Sequence, residues 1–289
     1  MKALVLGGVA WNTMVYVEEL PDPRPSTVFA RSSHDTIGSS GAGKALNLRR
    51  VDVDVAMWAA VGDDEPGRLA SERLRSEGVD LHTHVDPLGT QRHVNLMDAA
   101  GDRISIFANA GSDELEFDPA SIEPLLEGCD LVTVTINNYC RQFLPLLAAS
   151  EVPVWIDIHD YDGTDSYHQQ FIEAADYLLA SSIRLPEHYD FMVARIDAGA
   201  SMVVVTHGVH GASALSADGE SVDIEAVPVL RLVDTNGAGD AFFAGFAATH
   251  LGGGNLESSM ANGAVLAAAA IQSLELAPDI EQTPELSAP

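Results

Sequence analysis

Short apolar runs, each too brief for a helix and separated by stretches of helical length, constrain this chain more than any other feature. They cover residues 3–6, 53–60, 131–136, 152–158, 177–180 and 202–206. Continuous apolar runs of this length suit parallel strands covered on both faces. Between them lie amphipathic stretches such as 65–76 and 119–126. That alternation predicts βαβ units and a three-layer α/β/α fold with a mostly parallel central sheet. With 289 residues, 46% of them apolar, the chain can bury a sizeable core. One domain is expected over 1–277, followed by a polar, proline-containing tail, 278–289, expected to be flexible.

Two regions break the pattern. Within 13–37 and 91–109 apolar residues alternate with polar ones: Val15 and Val17, then Val28 and Ala30; later Val94 and Leu96, then Ile104 and Ile106. Pro21-Asp22-Pro23 and Ala100-Gly101-Asp102 supply turns between the members of each pair. A small antiparallel β lid is predicted here. One face of so small a sheet stays open, so a homodimer through the lid is expected. Near the end, 256–273 reads as a helix with Met260, Ala264, Val265, Ala268 and Ile271 on one face.

The charge excludes whole classes of function. Acidic residues number 43 against 15 basic ones, a formal net charge of −28. Such a field repels nucleic acid and anionic membranes. Any phosphate must be bound locally, by backbone N–H groups or a single lysine. Cys129 and Cys140 are not spaced as a metal site or a disulfide framework. No stretch approaches the roughly 20 apolar residues of a membrane span, and the N-terminus lacks the long apolar core of a secretion signal. A soluble cytoplasmic protein is expected.

The chemistry concentrates in Asp234-Thr235-Asn236-Gly237-Ala238-Gly239-Asp240-Ala241-Phe242. It joins an apolar strand end to a helix of small residues. Glycines before a helix let the backbone approach a ligand, and the unpaired N–H groups of the first turn favour an anion. Gly237, Ala238 and Gly239 make a candidate anion hole. Asp240 beside it could be a helix cap. A carboxylate there is also what phosphoryl transfer to an alcohol requires of a base.

This stretch resembles the C-terminal signature of the ribokinase-like (PfkB) carbohydrate and nucleoside kinases. Similar resemblances run through most of the chain: Val61-Gly62-Asp63-Asp64-Glu65-Pro66-Gly67, the segment 203–211, and Ala261-Asn262-Gly263-Ala264. The resemblance implies the three-layer fold with a β lid, and an ATP- and Mg²⁺-dependent kinase with Asp240 as catalytic base. It places Thr206, Gly208, Gly211 and Asn262 along the nucleotide. It gives Asp234 to a monovalent cation, K⁺ being the candidate.

Gly38 to Lys44 fits the P-loop spacing G-x-x-x-x-G-K, but Ala45 lacks the hydroxyl that would ligate Mg²⁺. The resemblance offers the better reading, an acceptor-binding element in which Gly43, Lys44 and Asn47 match the family's positions. Asn12 stands where the family usually has Asp, which retains an acceptor atom and adds donors. The family's Asn-x-x-Glu, which helps to order Mg²⁺, is replaced by Ser181-Ser182-Ile183-Arg184-Leu185. The acidic strand end at 157–162 could substitute for it or be a solvated loop. The acceptor is expected to be a sugar or a nucleoside. A catalytically weak sugar- or nucleoside-binding sensor is the reading from another class.

Overall fold

A computed structural model describes residues 1–279. All but the first two residues of the expected tail lie outside the described residues. Seven strands run parallel in the main sheet; six of them are β1 (Lys2–Leu6), β4 (Asp54–Val61), β8 (Leu131–Val134), β9 (Val154–Asp157), β10 (Tyr177–Ser181) and β11 (Met202–Thr206). β5 (Asp80–Val85) continues it at one edge, while β12 (Ala212–Ser216) and β13 (Ser221–Ile224) add antiparallel at the other. The order is β13-β12-β11-β10-β9-β8-β1-β4-β5. Apolar side chains lie buried on both faces: one cluster holds Ala3, Val5, Met57, Trp155 and Val204, the other Leu4, Leu6, Trp58, Ile156 and Val203. Alternation of neighbouring residues between the two clusters follows from the two-residue strand period.

The first cluster is closed by α1 (Ser40–Arg50), α2 (Glu65–Ser76), α7 (Ala238–Leu251) and α8 (Leu256–Ala270). The second is covered by short helices, including α3 (Glu123–Leu126), α4 (Leu144–Leu147), α5 (Gln169–Ala174) and α6 (His188–Asp197). Helices α7 and α8 pack closely. A Cβ on Gly245 would lie 2.6 Å from Asn262 O, and one on Gly263 would lie 3.0 Å from Phe242 O. The three-layer expectation therefore holds.

The lid is a four-stranded sheet in the order β3-β2-β6-β7. Its strands are β2 (Ala10–Tyr16), β3 (Ser32–Gly38), β6 (Arg92–Met97) and β7 (Arg103–Asn109). Two details differ from the sequence reading. Val28 and Ala30 lie before β3, not in it, and β2 pairs with β6 in parallel. β3 reads Ser32-Ser33-His34-Asp35-Thr36-Ile37-Gly38, so its place is set by pairing with β2 and not by an apolar pattern of its own.

The Gly-Asp-Asp element is a fastening. Asp64 caps α2 by accepting from Gly67 N at 2.9 Å. It also takes Thr90 Oγ1 at 2.6 Å and Thr90 N at 2.9 Å. A Cβ on Gly62 would lie 2.5 Å from Thr90 N. The body is thus knotted to the chain that enters β6. Among the described residues no helix is long and apolar enough to cross a membrane.

Candidate active site

From β1 the chain goes to β4 and β5 on one side and later to β8 through β11 on the other. The sheet order reverses between β1 and β8, and a ligand crevice belongs outside the carboxyl ends of strands at such a point. Gly7 and Gly8 follow β1 there. A Cβ on Gly7 would lie 2.5 Å from Thr135 Oγ1, and Gly8 N donates to that hydroxyl at 3.3 Å. α1 starts against the same turn, with Gly41 leaving room for Gly8 O and Ala42 N donating to it at 3.2 Å.

Helices α1 and α7 bring Lys44 and Asp240 together at this crevice. Lys44 is 1% exposed, a degree of burial that an ammonium tolerates only when paired. Its Nζ donates to Ser40 Oγ at 2.6 Å, Asp240 Oδ1 at 2.7 Å and Asp157 Oδ2 at 3.0 Å. Ser40 Oγ in turn donates a hydrogen bond to Asp240 Oδ1 at 2.9 Å. The Phe243 ring lies 5.4 Å from Nζ on the core side. Gly43 is the close approach that admits Asp240: a Cβ there would overlap Oδ2. Burial pushes the Lys44 pKa down, but Asp157 and Asp240 more than offset this and hold the ammonium above its ordinary range. Burial likewise pushes the Asp157 carboxyl up; His159 and Lys44 reverse this and hold it well below the usual carboxylate range.

Gly237, at φ +79, caps α7, a conformation that favours glycine. A Cβ added at Gly239 would meet nothing within 4 Å, so open space lies beside the first turn. The N–H groups of that turn have no partner within the helix. Asp240 is the first acidic residue of α7. Gly237, Ala238, Gly239, Gly43, Lys44 and Asp240 thus converge.

Asn12 and Asn47 are buried with their amides partly committed. Asn12 Oδ1 accepts from His93 N at 3.2 Å, and its side chain packs on Gly38. Asn47 Nδ2 donates to Gly43 O at 2.8 Å and Leu276 O at 3.1 Å. Thr206, at the end of β11, donates to Ala180 O at 3.4 Å. Gly208 and Gly211 turn the chain after it at φ +57 and +93, and His207 N donates to Gly211 O at 2.8 Å. Asn262 is exposed on α8 and donates to Thr249 Oγ1 at 3.0 Å. No hydrogen bond joins these last four residues to the Asp240 cluster among the described residues.

Sequence reading missed Ser40 as a partner of Asp240. The one signal was its i, i+4 spacing to Lys44 at a helix start. It missed a second polar group as well. Beside Gly8, a Cβ would lie 2.7 Å from Ser39 Oγ and 3.1 Å from both Gln91 Oε1 and Asn137 Oδ1. Ser39 holds φ +79 and ψ 148, a strained backbone for a residue with a side chain.

Asp234 is 4% exposed and both its oxygens are engaged. Oδ1 accepts from Asn236 N at 2.7 Å and Oδ2 from the Tyr16 hydroxyl at 2.6 Å. Burial, then the hydrogen bond to Asp234 and its charge, push the Tyr16 phenol up. A narrow crevice beside Asp234 is lined by Met14, Thr36, Asn236, Ser273, Leu274, Glu275 and Leu276. The Ser181–Leu185 turn does not fit a Mg²⁺ site. Its charged member, Arg184, pairs with Asp162 at 3.2 Å and Asp160 at 3.7 Å. Among the described residues no group of three or more His, Cys, Asp or Glu could hold a metal ion.

Comparison with known proteins identifies the family. The family model described as pfkB family carbohydrate kinase matches residues 4–283. An acarbose 7(IV)-phosphotransferase of Actinoplanes sp. is 32% identical over 92% of this chain and 90% of its own length. An ATP-dependent ribose-1-phosphate kinase of Halopiger xanaduensis is 30% identical over 90% of this chain and 88% of its own. The solved structure of a microbiome-derived acarbose kinase, Mak1, superposes with a TM-score of 0.85 at 30% identity, covering 94% and 93% of the two chains. This chain belongs to the pfkB family of carbohydrate kinases, phosphotransferases that act on a hydroxyl acceptor.

Proposed function

We propose that the enzyme transfers the γ-phosphoryl group of ATP to a hydroxyl of a sugar or a sugar-like polyol, with Asp240 as general base. The observation that carries this is the position of Asp240: its Oδ2 is free of hydrogen bonds among the described residues, at the start of a helix whose first turn faces open space. Oδ2 takes the acceptor's proton as the oxygen attacks phosphorus. The N–H groups of Gly237, Ala238 and Gly239 stabilise charge on the transferred oxygens. Thr206, Gly208, Gly211 and Asn262 lie along the nucleotide. Mg²⁺, carried on the nucleotide's phosphates, would neutralise charge there. Asp234 with the crevice beside it is the candidate for K⁺.

On the acceptor side stand Asn12, Gly43 and Asn47, with Lys44 acting by way of Asp240. Ser39, Gln91 and Asn137 add three oxygen-bearing side chains around Gly8. Paired donors and acceptors of this kind suit hydroxyls, because a buried polar group left unmatched is costly. The enzyme works in the cytoplasm as a homodimer through the lid's outer face, where Ile104 and Ile106 stand 39% and 50% exposed.

An ADP-release assay with a panel of free sugars, sugar phosphates, oligosaccharides and nucleosides tests the reading. ADP formation that depends on a sugar is expected. Preference for a nucleoside would move the acceptor class. Tight acceptor binding with no ADP above background would replace the kinase with a sensor.

A further inference from the structure

The proton accounting around Lys44 assigns it a different task from touching the acceptor, and brings in Asp157, to which no role in the transfer has been given. An ammonium has three N–H donors. All three are spent, on Ser40 Oγ, Asp157 Oδ2 and Asp240 Oδ1. Lys44 has none left for a substrate hydroxyl, and at 1% exposure no path to one. On Asp240, Oδ1 carries two hydrogen bonds while Oδ2 carries none among the described residues. One oxygen is anchored and the other is open.

An ammonium bound to a lone carboxylate favours the ionised form and makes a poor base. Here its charge is divided. We propose that Asp157 is a positioning residue for the transfer, acting through Lys44: by drawing on the ammonium it leaves Asp240 Oδ2 basic enough to take the acceptor's proton. This rests on the reading of Asp240 as base. Before transfer the set Lys44, Asp157 and Asp240 carries one net negative charge; after the proton arrives it is neutral. Without Asp157 it would start neutral and end as an uncompensated buried cation. In the step, the acceptor O–H proton moves to Oδ2 and the acceptor oxygen forms the new bond to phosphorus. The bond from phosphorus to the β–γ bridging oxygen breaks, and the departing nucleoside diphosphate keeps that electron pair. The low pKa of Asp157, held there against burial by His159 and Lys44, keeps it charged throughout.

The groups that face the cluster are Ser40 and Lys44 on α1, Asp240 and the Phe243 ring on α7, Asp157 at the end of β9 and His159 just after it. His159 Nδ1 lies 3.5 Å from Asp157 Oδ2 and acts on that carboxylate electrostatically, so the comparison is made in both the native and the His159→Gln backgrounds.

The test is the pH profile of kcat with ATP and the best acceptor of the panel. Asp157→Asn keeps the shape and the oxygen that accepts from His159 N. It should move the acid limb down by about one pH unit. It should also lower plateau kcat about tenfold, with acceptor KM little changed. In a Lys44→Gln background the same change should leave the limb where Lys44→Gln puts it. An unmoved limb in Asp157→Asn, with only thermal stability lost, overturns the proposal and leaves the base in place. An equal shift with and without Lys44 also overturns it, because Asp157 would then act directly. Should Asp157→Asn not fold, Lys44→Gln/Asp157→Asn, which withdraws the buried pair together, is read against Lys44→Gln: an unmoved limb is expected, and a shifted limb overturns the proposal. Asp240→Asn run alongside separates the two failures: if it keeps native turnover, the base itself is wrong.

Discussion

At Gly43 one missing methyl group decides whether the centre forms. A Cβ would overlap Asp240 Oδ2, and its nearest neighbours are all atoms of that side chain, so the carboxylate is the part that gives way. Gly43→Ala should lower kcat about 100-fold, the usual cost of misplacing a reacting group by an ångström or so. Its thermal unfolding should change much less, and the pair of measurements checks it. Asp157 also links the site to acid stability. Its folded pKa is depressed, so its contribution is present above the unfolded carboxylate value near about 4 and is lost as pH falls through the folded one. Asp157→Asn should flatten the acid side of the stability curve, measured by urea denaturation at stepped pH. Ser39 carries an opposing effect. Ser39→Gly should relieve a backbone strain of about 1–3 kcal/mol, visible in denaturation, while weakening the acceptor KM if its hydroxyl serves the substrate.

At the scale of elements, the lid is latched to the turn that precedes the anion hole. Tyr16 on β2 holds Asp234; Arg103 on β7 donates to Asn236 Oδ1 at 2.9 Å; Thr235 Oγ1 donates to Gly101 O at 3.2 Å. The lid is therefore bonded to the segment that leads into Gly237. Tyr16→Phe removes the donor to a buried carboxylate and should speed amide hydrogen exchange in β2 and β6, with a fall in kcat. How much of this was legible in the sequence follows from where the information lies. α2 could be read to its ends because its cap, its early proline and its apolar spacing are all local. Six of the seven parallel strands were legible as apolar runs; β5, with Asp80, His82 and His84, was not. β3 was not, since its residues are polar and its pairing with β2 decides. α1 begins with Gly41 and Gly43, poor helix formers, and is held by burial of almost its whole length. The Asp240 turn was visible as a motif. Its partners were not: Lys44 and Asp240 lie 196 residues apart, Lys44 and Asp157 113, and only folding sets such distances.

On the scale of the whole molecule, the crevice at the β1–β8 reversal, the lid above it and the charge of −28 have separate consequences. Self-repulsion at that charge weakens with added salt, so stability should rise from low to high ionic strength, followed by thermal unfolding. The lid's outer face, with Ile104 and Ile106 exposed, is the surface proposed for a second copy. Ile106→Glu should yield monomer by light scattering if that face is the interface. The kinase assignment itself depends on Asp240 receiving a proton beside the α7 N-terminus. The most direct measurement is steady-state turnover of Asp240→Asn with a sugar that supports the native enzyme. The account expects ADP formation to fall by about a thousandfold or more while nucleotide binding persists. Turnover close to the native rate would contradict it.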